Sequence, residues 1–451
     1  MSAVMKFGGT SVADPDAIAR LIGIVRQQRD TDSQPPVVVV SALAGVTDKL
    51  VAIAQLAEDG AGERAAVELR ALLDRHVRVA TAVTSSSRDA VLTDVRREFE
   101  ELMGLVHALA VLREVSPRSR DAVLAVGEVV SSRIVAAAFA DQAIRSAWID
   151  ARAILVTDAE HTAATPDMDA TCARATEQVA PVRRDGRVPI LGGFIGATAA
   201  GITTTLGRGG SDYSAAVFGA SLDVDEIQIW TDVDGMLTAD PRIVPAPRLV
   251  PQLSFAEASE LAYFGAKVLH PSTILPAVTK NIPVRILNSR RPDSTGTRIT
   301  AEAAQANGQL TAIACKRDVT VIDITSTRML MAHGFLRRLF EVFERFKTAV
   351  DVVTTSEVSV SVTVDDTRRL DAILDNLHTF AEASCERDMA IICAVGENLR
   401  ADATLFARAV TSLERIPLRL VSQAASRRNI TFVLRDADVA HAMMRLHESF
   451  F

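Results

Sequence analysis

The sequence predicts an α/β protein, a three-layer α/β/α domain on a mostly parallel sheet followed by two small α+β modules. Three observations carry this. Val37-Val38-Val39-Val40 is a continuous β-branched run of the kind buried on both faces of a parallel sheet. Through Arg298, strand-like runs alternate with helix-period segments, which is the rhythm of a parallel α/β layer. Beyond that point the order strand, helix, strand, strand, helix occurs twice, with a period of about 70 residues.

The totals set the frame. A chain of 451 residues exceeds what one core organises, so two or three domains are expected. With 48% hydrophobic and 23% charged residues the composition is that of an ordinary folded chain. A formal net charge of -7 and a pI near 5.7 argue against nucleic acid or an anionic membrane as partner and leave small metabolites. Cys172, Cys315, Cys385 and Cys393 lack any CxxC or Cys/His spacing, so buried free thiols in a reducing compartment and no dedicated metal site are expected. The opening MSAVMKFGG has no apolar leader and no later run is expected to reach membrane length, so the expected location is the cytoplasm.

Taken in order, Val4 to Phe7 reads as a strand running into Gly8-Gly9-Thr10-Ser11, and Asp14-Pro15 opens a helix carrying Ile18, Leu21, Ile22 and Val25. The strand Val37 to Val40 ends in the polar loop Ser41 to Thr47. From Leu50 to Leu112 the pattern is a helical cover, broken near Asp59-Gly60-Ala61-Gly62 and Ser85-Ser86-Ser87, with no chemistry evident in it. Gly127-Glu128 is expected to begin a helix, and further strands fall at 188–191, 227–230 and 284–287. The connector 301–310 closes a first domain at 1–298. Modules at 311–385 and 386–451 follow.

The densest signal is Gly192 to Asp212, with seven of the 23 glycines. Glycines let backbone N–H groups close on a ligand that side chains would block, so a loop of this kind before a helix holds anions. Arg208 adds a planar cation suited to a carboxylate or phosphate, and Ser211 and Asp212 fall where an N-cap is expected. Lys6 ends the first strand beside Gly8-Gly9, where open α/β sheets place ligands. Thr231-Asp232-Val233-Asp234-Gly235, continuing to Asp240-Pro241-Arg242, and Phe264 to Pro271 with Lys267 complete the set.

Together these motifs resemble the aspartokinases of the amino-acid kinase superfamily, across essentially the whole chain, with the terminal modules resembling paired ACT domains. The resemblance is to the monofunctional lysine-sensitive branch. It implies transfer of the ATP γ-phosphoryl group to the β-carboxylate of L-aspartate. A carboxylate is already a nucleophile at neutral pH, so alignment and charge neutralisation suffice and no general base is required.

By resemblance, Lys6, Phe7, Gly8 and Gly9 steady the phosphates, while Thr231, Asp232, Leu237, Arg242, Lys267 and Val268 hold nucleotide and Mg2+-bound phosphate. Arg208 takes the aspartate α-carboxylate with Gly209 and Gly210 beside it, Glu128 takes the ammonium, and Ser41, Thr47 and Ser211 take remaining oxygens. Lys6, Asp212 and Lys267 form the catalytic set. Leu237 replaces the family's Tyr. The effector site is expected at Met329, Ala332, Gly334, Phe335, Leu336, Ala349, Val350, Asp351, Thr355, Ser356 and Glu357. Ala332 and Ala349 stand where lysine-binding members carry Ser, so weak inhibition by lysine is expected, with threonine the runner-up effector, in a homodimer joined through the ACT modules. The competing readings are a superfamily kinase for another acidic amino acid and a catalytically impaired amino-acid sensor.

Overall fold

A computed structural model describes the chain except Ser33 and residues 266–270, 303–308, 327–332 and 424–426. Two compact units appear, one of Met1–Met236, Pro251–Phe255 and Val268–Glu302, the other of Leu237–Val250, Ala256–Lys267 and Ala303–Phe451. The expected single cut near 298 is thus replaced by a chain that passes between units several times. The reason is packing: Ala239 and Val244 bury in one cluster with Leu310, Ile313, Met443 and Leu446.

The first unit is built on an eight-stranded sheet. Its central strand Ala3–Phe7 pairs in parallel with Val37–Val40 on one side and Glu226–Thr231 on the other. Val188–Gly192 extends the first side and Val284–Asn288 the second, both in parallel. The order therefore reverses between Ala3–Phe7 and Glu226–Thr231, the switch point at which such sheets open a crevice at the carboxyl ends of their strands. All four valines of Val37–Val40 are buried, as a doubly covered strand requires.

Helices Val46–Glu58, Gly62–Val83 and Arg88–Leu112 form the expected cover. Gly127 and Glu128 do not begin a helix. They lie inside Pro117–Asp141, which starts at Ser116, whose hydroxyl caps the Ser119 N–H, followed by Pro117 in the first turn. This helix is also long and apolar enough to cross a membrane by length and composition, which the sequence reading did not expect, but 72% of that stretch is buried.

The second unit holds one six-stranded sheet. Two long strands, Gln309–Thr325 and Glu382–Glu397, pair antiparallel along their whole length. Each comprises a buried run at either end or one end, joined through polar residues such as Lys316, Arg317 and Asp318. Residues 320–325 pair with Ser359–Val364, whereas 389–395 pair with Asn429–Arg435. Residues 309–316 face the 391–397 half, so the pairing interleaves the modules where a division at 385 would run them in series. Their cores are separate, one around Leu339, Phe343 and Ile373, the other around Phe432, Met443 and Leu446.

Candidate functional site

In the first unit the site residues collect where the parallel strands end. Lys6, the penultimate residue of its strand, has an exposure of only 8%, and its Nζ lies 2.6 Å from Asp212 Oδ1. The Gly8 N–H donates to the Trp230 carbonyl across the switch point at 3.0 Å. A Cβ on Gly9 would stand 3.0 Å from the Ala42 carbonyl, so the loops after the first two strands approach as closely as glycine permits. The Ala44 N–H donates to the Gly9 carbonyl, and Arg75 from the helical cover donates to the Ala44 carbonyl at 2.8 Å. Arg75 was invisible as a functional residue in the sequence, where it is one charge among many on an amphipathic helix.

Ser41 follows Val37–Val40, and its carbonyl accepts from the Ser131 hydroxyl at 2.7 Å, while Thr47 lies in the first turn of Val46–Glu58. Glu128 is 3% exposed. Its Oε1 accepts the Ala42 N–H at 3.1 Å, and its buried Oε2 meets no hydrogen-bond donor among the described residues. Burial raises its pKa from 4.5 to about 8, against which the Ala42 hydrogen bond works only in part. Gly127 explains how the helix comes this close, because a Cβ there would lie 2.9 Å from Ala42 Cβ.

The glycine-rich stretch is both hairpin and ligand-type loop. Ile195–Thr198 and Thr203–Thr205 pair antiparallel, and the chain then turns through Gly207 and Gly209, both at positive φ, into the helix Gly210–Ser221. The N-cap is Gly209, at φ 71°, so Ser211 and Asp212 stand in the first turn instead of capping it. Left-handed backbone is the reason, since Gly adopts it without strain. Asp212 in this turn complements the helix dipole. Arg208 is exposed and pairs with no carboxylate among the described residues.

Thr231 and Asp232 follow the strand Glu226–Thr231, with the Thr231 hydroxyl donating to the Asp232 carboxylate at 3.3 Å. Asp234 is held by the Asn288 amide and by Arg291, so the turn is fixed from the neighbouring strand. Phe7 stacks on Trp230, with ring centroids 6.0 Å apart. Leu237 and Arg242 fall in the second unit, where Arg242 is paired to Asp240. Lys267 and Val268 lie outside the described residues.

Of the effector residues, Gly334 caps Phe335–Arg345 at φ 86°, placing Phe335 and Leu336 in the first turn. Ala349 is exposed and Thr355 ends the edge strand Val353–Thr355, with Ser356 and Glu357 in the turn that follows. Val350 packs against the Leu339 core. Met329 and Ala332 lie outside the described residues. Asp351 has a 2% exposed side chain, and its Oδ1 already accepts from Lys316 Nζ at 2.8 Å and from the Tyr263 hydroxyl at 2.8 Å. Lys316, which the sequence reading passed over, also pairs with Asp365 at 2.8 Å.

A parallel sheet with an anion-type glycine loop, a lysine at its switch point and a buried glutamate beside the loop after Val37–Val40, joined in one chain to an ACT-like sheet, defines a regulated small-molecule kinase. Residues 1–288 match the amino acid kinase family and residues 392–450 match the ACT domain. The chain is 36% identical to aspartokinase 3, chloroplastic, of Arabidopsis thaliana, over 100% of this chain and 82% of that protein. It is 35% identical to lysine-sensitive aspartokinase 3 of Escherichia coli, covering 99% of both. The solved structure of E. coli aspartokinase III in complex with aspartate and ADP matches with a TM-score of 0.85 at 34% identity, over 100% of both chains. The same enzyme in complex with lysine and aspartate matches at 0.82. The chain belongs to the aspartokinase family.

Proposed function

We propose that this aspartokinase transfers the γ-phosphoryl group of ATP to the β-carboxylate of L-aspartate. The observation that carries this reading is Glu128, a wholly buried carboxylate with one oxygen unpartnered among the described residues, close to the loops that end two central strands. Burying such a group without a cation is unfavourable, so the geometry supports a ligand ammonium as its missing partner. Arg208, which pairs with no carboxylate among the described residues, suits the α-carboxylate of the same amino acid.

The donor set also suits a nucleotide. Lys6 offers a buried ammonium beside glycine backbone, Thr231 and Asp232 offer oxygens at the next strand end, and Asp212 is a hard carboxylate donor suited to Mg2+. When bound, the nucleotide supplies the phosphoryl group and the magnesium ion offsets its negative charge. Asp212 holds Lys6 in place, and Lys6 neutralises charge as it moves between phosphoryl oxygens. The Ser41 and Thr47 loop and Ser211 orient the β-carboxylate, which attacks without loss of a proton. Lys267 is assigned to the phosphates by its motif.

We also assign the second unit to amino-acid feedback, with lysine as effector because a lysine-sensitive relative is similar over its full length. Interleaved ACT modules, one spanning 319–388 and the other 309–316 with 389–451, fit the strand pairing. The edge strand Val353–Thr355, with Val353 39% exposed, suits pairing with a second copy in a homodimer. Four free cysteines suit the cytoplasm. Only Cys393 is buried, which narrows the expectation of buried thiols to one.

The test is a hydroxylamine trap for acyl phosphate, run with ATP and Mg2+ and with aspartate, glutamate or no acceptor. Hydroxamate with aspartate alone supports the reading. Hydroxamate with glutamate in preference, or none with either, defeats it.

A further inference from the structure

The helix Pro117–Asp141 carries a second buried carboxylate that the reaction as described leaves unused. Asp121 is 0% exposed and lies seven residues before Glu128, two helical turns away and therefore on the same face. Its Oδ1 accepts from the Thr205 hydroxyl at 2.6 Å, its Oδ2 lies 2.7 Å from His161 Nδ1, and both oxygens lie 3.1 Å from the Thr162 N–H. Thr205 is the last residue of its strand, three before Arg208. The Thr205 carbonyl in turn accepts the Ala164 N–H, and a Cβ on Gly207 would meet the Thr162 carbonyl at 3.0 Å. The backbone that carries Arg208 thus rests on a floor that Asp121 holds from below.

We infer that Asp121 is a positioning residue for the amino-acid substrate: with His161 and Thr205 it fixes the loop that presents Arg208. One helix then sets both ends of the substrate, Glu128 through the Ala42 loop and Asp121 through the Arg208 loop. Hydrogen bonds to an ionised acceptor are stronger than neutral ones, and a buried carboxylate leaves its donors no competing water. A planar guanidinium pays back such order, because bidentate contact with a carboxylate tolerates little displacement.

The inference rests on the assignment of Arg208 to the substrate carboxylate, and the experiment separates the two. Thr205→Val is isosteric and removes only the hydroxyl, Thr205→Ser keeps it, and Asp121→Asn keeps shape while removing charge. Thr205→Val and Asp121→Asn should each raise the KM for aspartate about tenfold, the worth of a hydrogen bond to a charged group, and leave the KM for ATP within about twofold. Thr205→Ser should restore the aspartate KM. In an Arg208→Lys background, which itself raises that KM, Thr205→Val should add less than about twofold, because the two act through one contact. An unchanged aspartate KM in Thr205→Val, equal rises in both KM values, failure of Ser to rescue, or full additivity with Arg208→Lys overturns the inference. No rise in aspartate KM in Arg208→Lys alone overturns the substrate assignment instead.

Discussion

Glu128 in the first unit, proposed to receive the substrate ammonium, and Asp351 in the second, among the proposed effector residues, are both buried carboxylates, and they differ in what already faces them. Glu128 has a backbone N–H on one oxygen and no donor on the other among the described residues, and burial holds its pKa near 8. Asp351 likewise has one oxygen, Oδ2, without a donor among the described residues, but its Oδ1 holds the ammonium of Lys316 and the hydroxyl of Tyr263. Burial works against the Lys316 charge, yet the hydrogen bonds to Asp351 and Asp365 outweigh it and its pKa rises. Burial and the hydrogen bond to Asp351 likewise raise that of the Tyr263 phenol. On the proposed roles, the substrate acid lacks a cation that binding would supply, whereas the charge of the regulatory acid is already balanced by Lys316, with which an effector ammonium must compete.

Removing each acid is the strongest way to break this contrast. Glu128→Gln should lower kcat/KM for aspartate by about 100-fold, roughly 3 kcal/mol, in steady-state assays with saturating ATP. Asp351→Asn should leave kcat within about threefold. If both variants lose activity equally, the two acids are not different in kind.

Lys316→Met sharpens the comparison by making Asp351 resemble Glu128. Truncating one partner of a buried pair leaves a stranded charge, so stability should fall by about 2 kcal/mol, discounted for the partial exposure of Lys316. Calorimetry should show the loss, and millimolar lysine should recover more of it than in the native chain. Equal recovery would mean that Lys316 does not compete with the effector.

The apo protein offers a further check through pH. Folded Glu128 keeps its proton up to about pH 8, whereas the unfolded carboxyl releases it near 4.5. Between those values the native state binds more protons than the unfolded one, so this group's contribution declines as pH rises, by up to about 1.4 kcal/mol per unit. The fall in Tm from pH 6 to 8.5 should be smaller in Glu128→Gln. The smallest effect concerns Ala332 and Ala349: the Ala332→Ser/Ala349→Ser double variant should bind lysine more tightly by about 0.5–1.5 kcal/mol for each hydroxyl, read as a lower inhibitory concentration.

Much of this was legible in the sequence, for reasons that particular residues make plain. The Val37–Val40 run, the Asp14-Pro15 helix start and the breaks at Gly60 and Ser85–Ser87 are local chemistry, and they hold. Gly127 misled because its value is tertiary: it admits Ala42, which spacing alone cannot reveal. Lys316 carried no signal in the sequence, since its partners come from 35 and 49 residues away. Asp121 had one available signal, its seven-residue spacing from Glu128 on an apolar helix face. The interleaving of the modules was hidden because the polar break at Lys316-Arg317-Asp318 looks like a strand end, although the paired strand continues through it with a register shift.

The central claim, that Glu128 waits uncompensated for the substrate ammonium, is tested most directly by the pH profile of kcat/KM for aspartate at saturating ATP. This parameter reports groups on the enzyme before aspartate binds. The native chain should show kcat/KM rising with pH and levelling above about 8, as Glu128 ionises and can receive the ammonium. Glu128→Gln should lose that rise. A native profile flat from pH 6.5 to 9, or the same rise in the glutamine variant, would contradict the account.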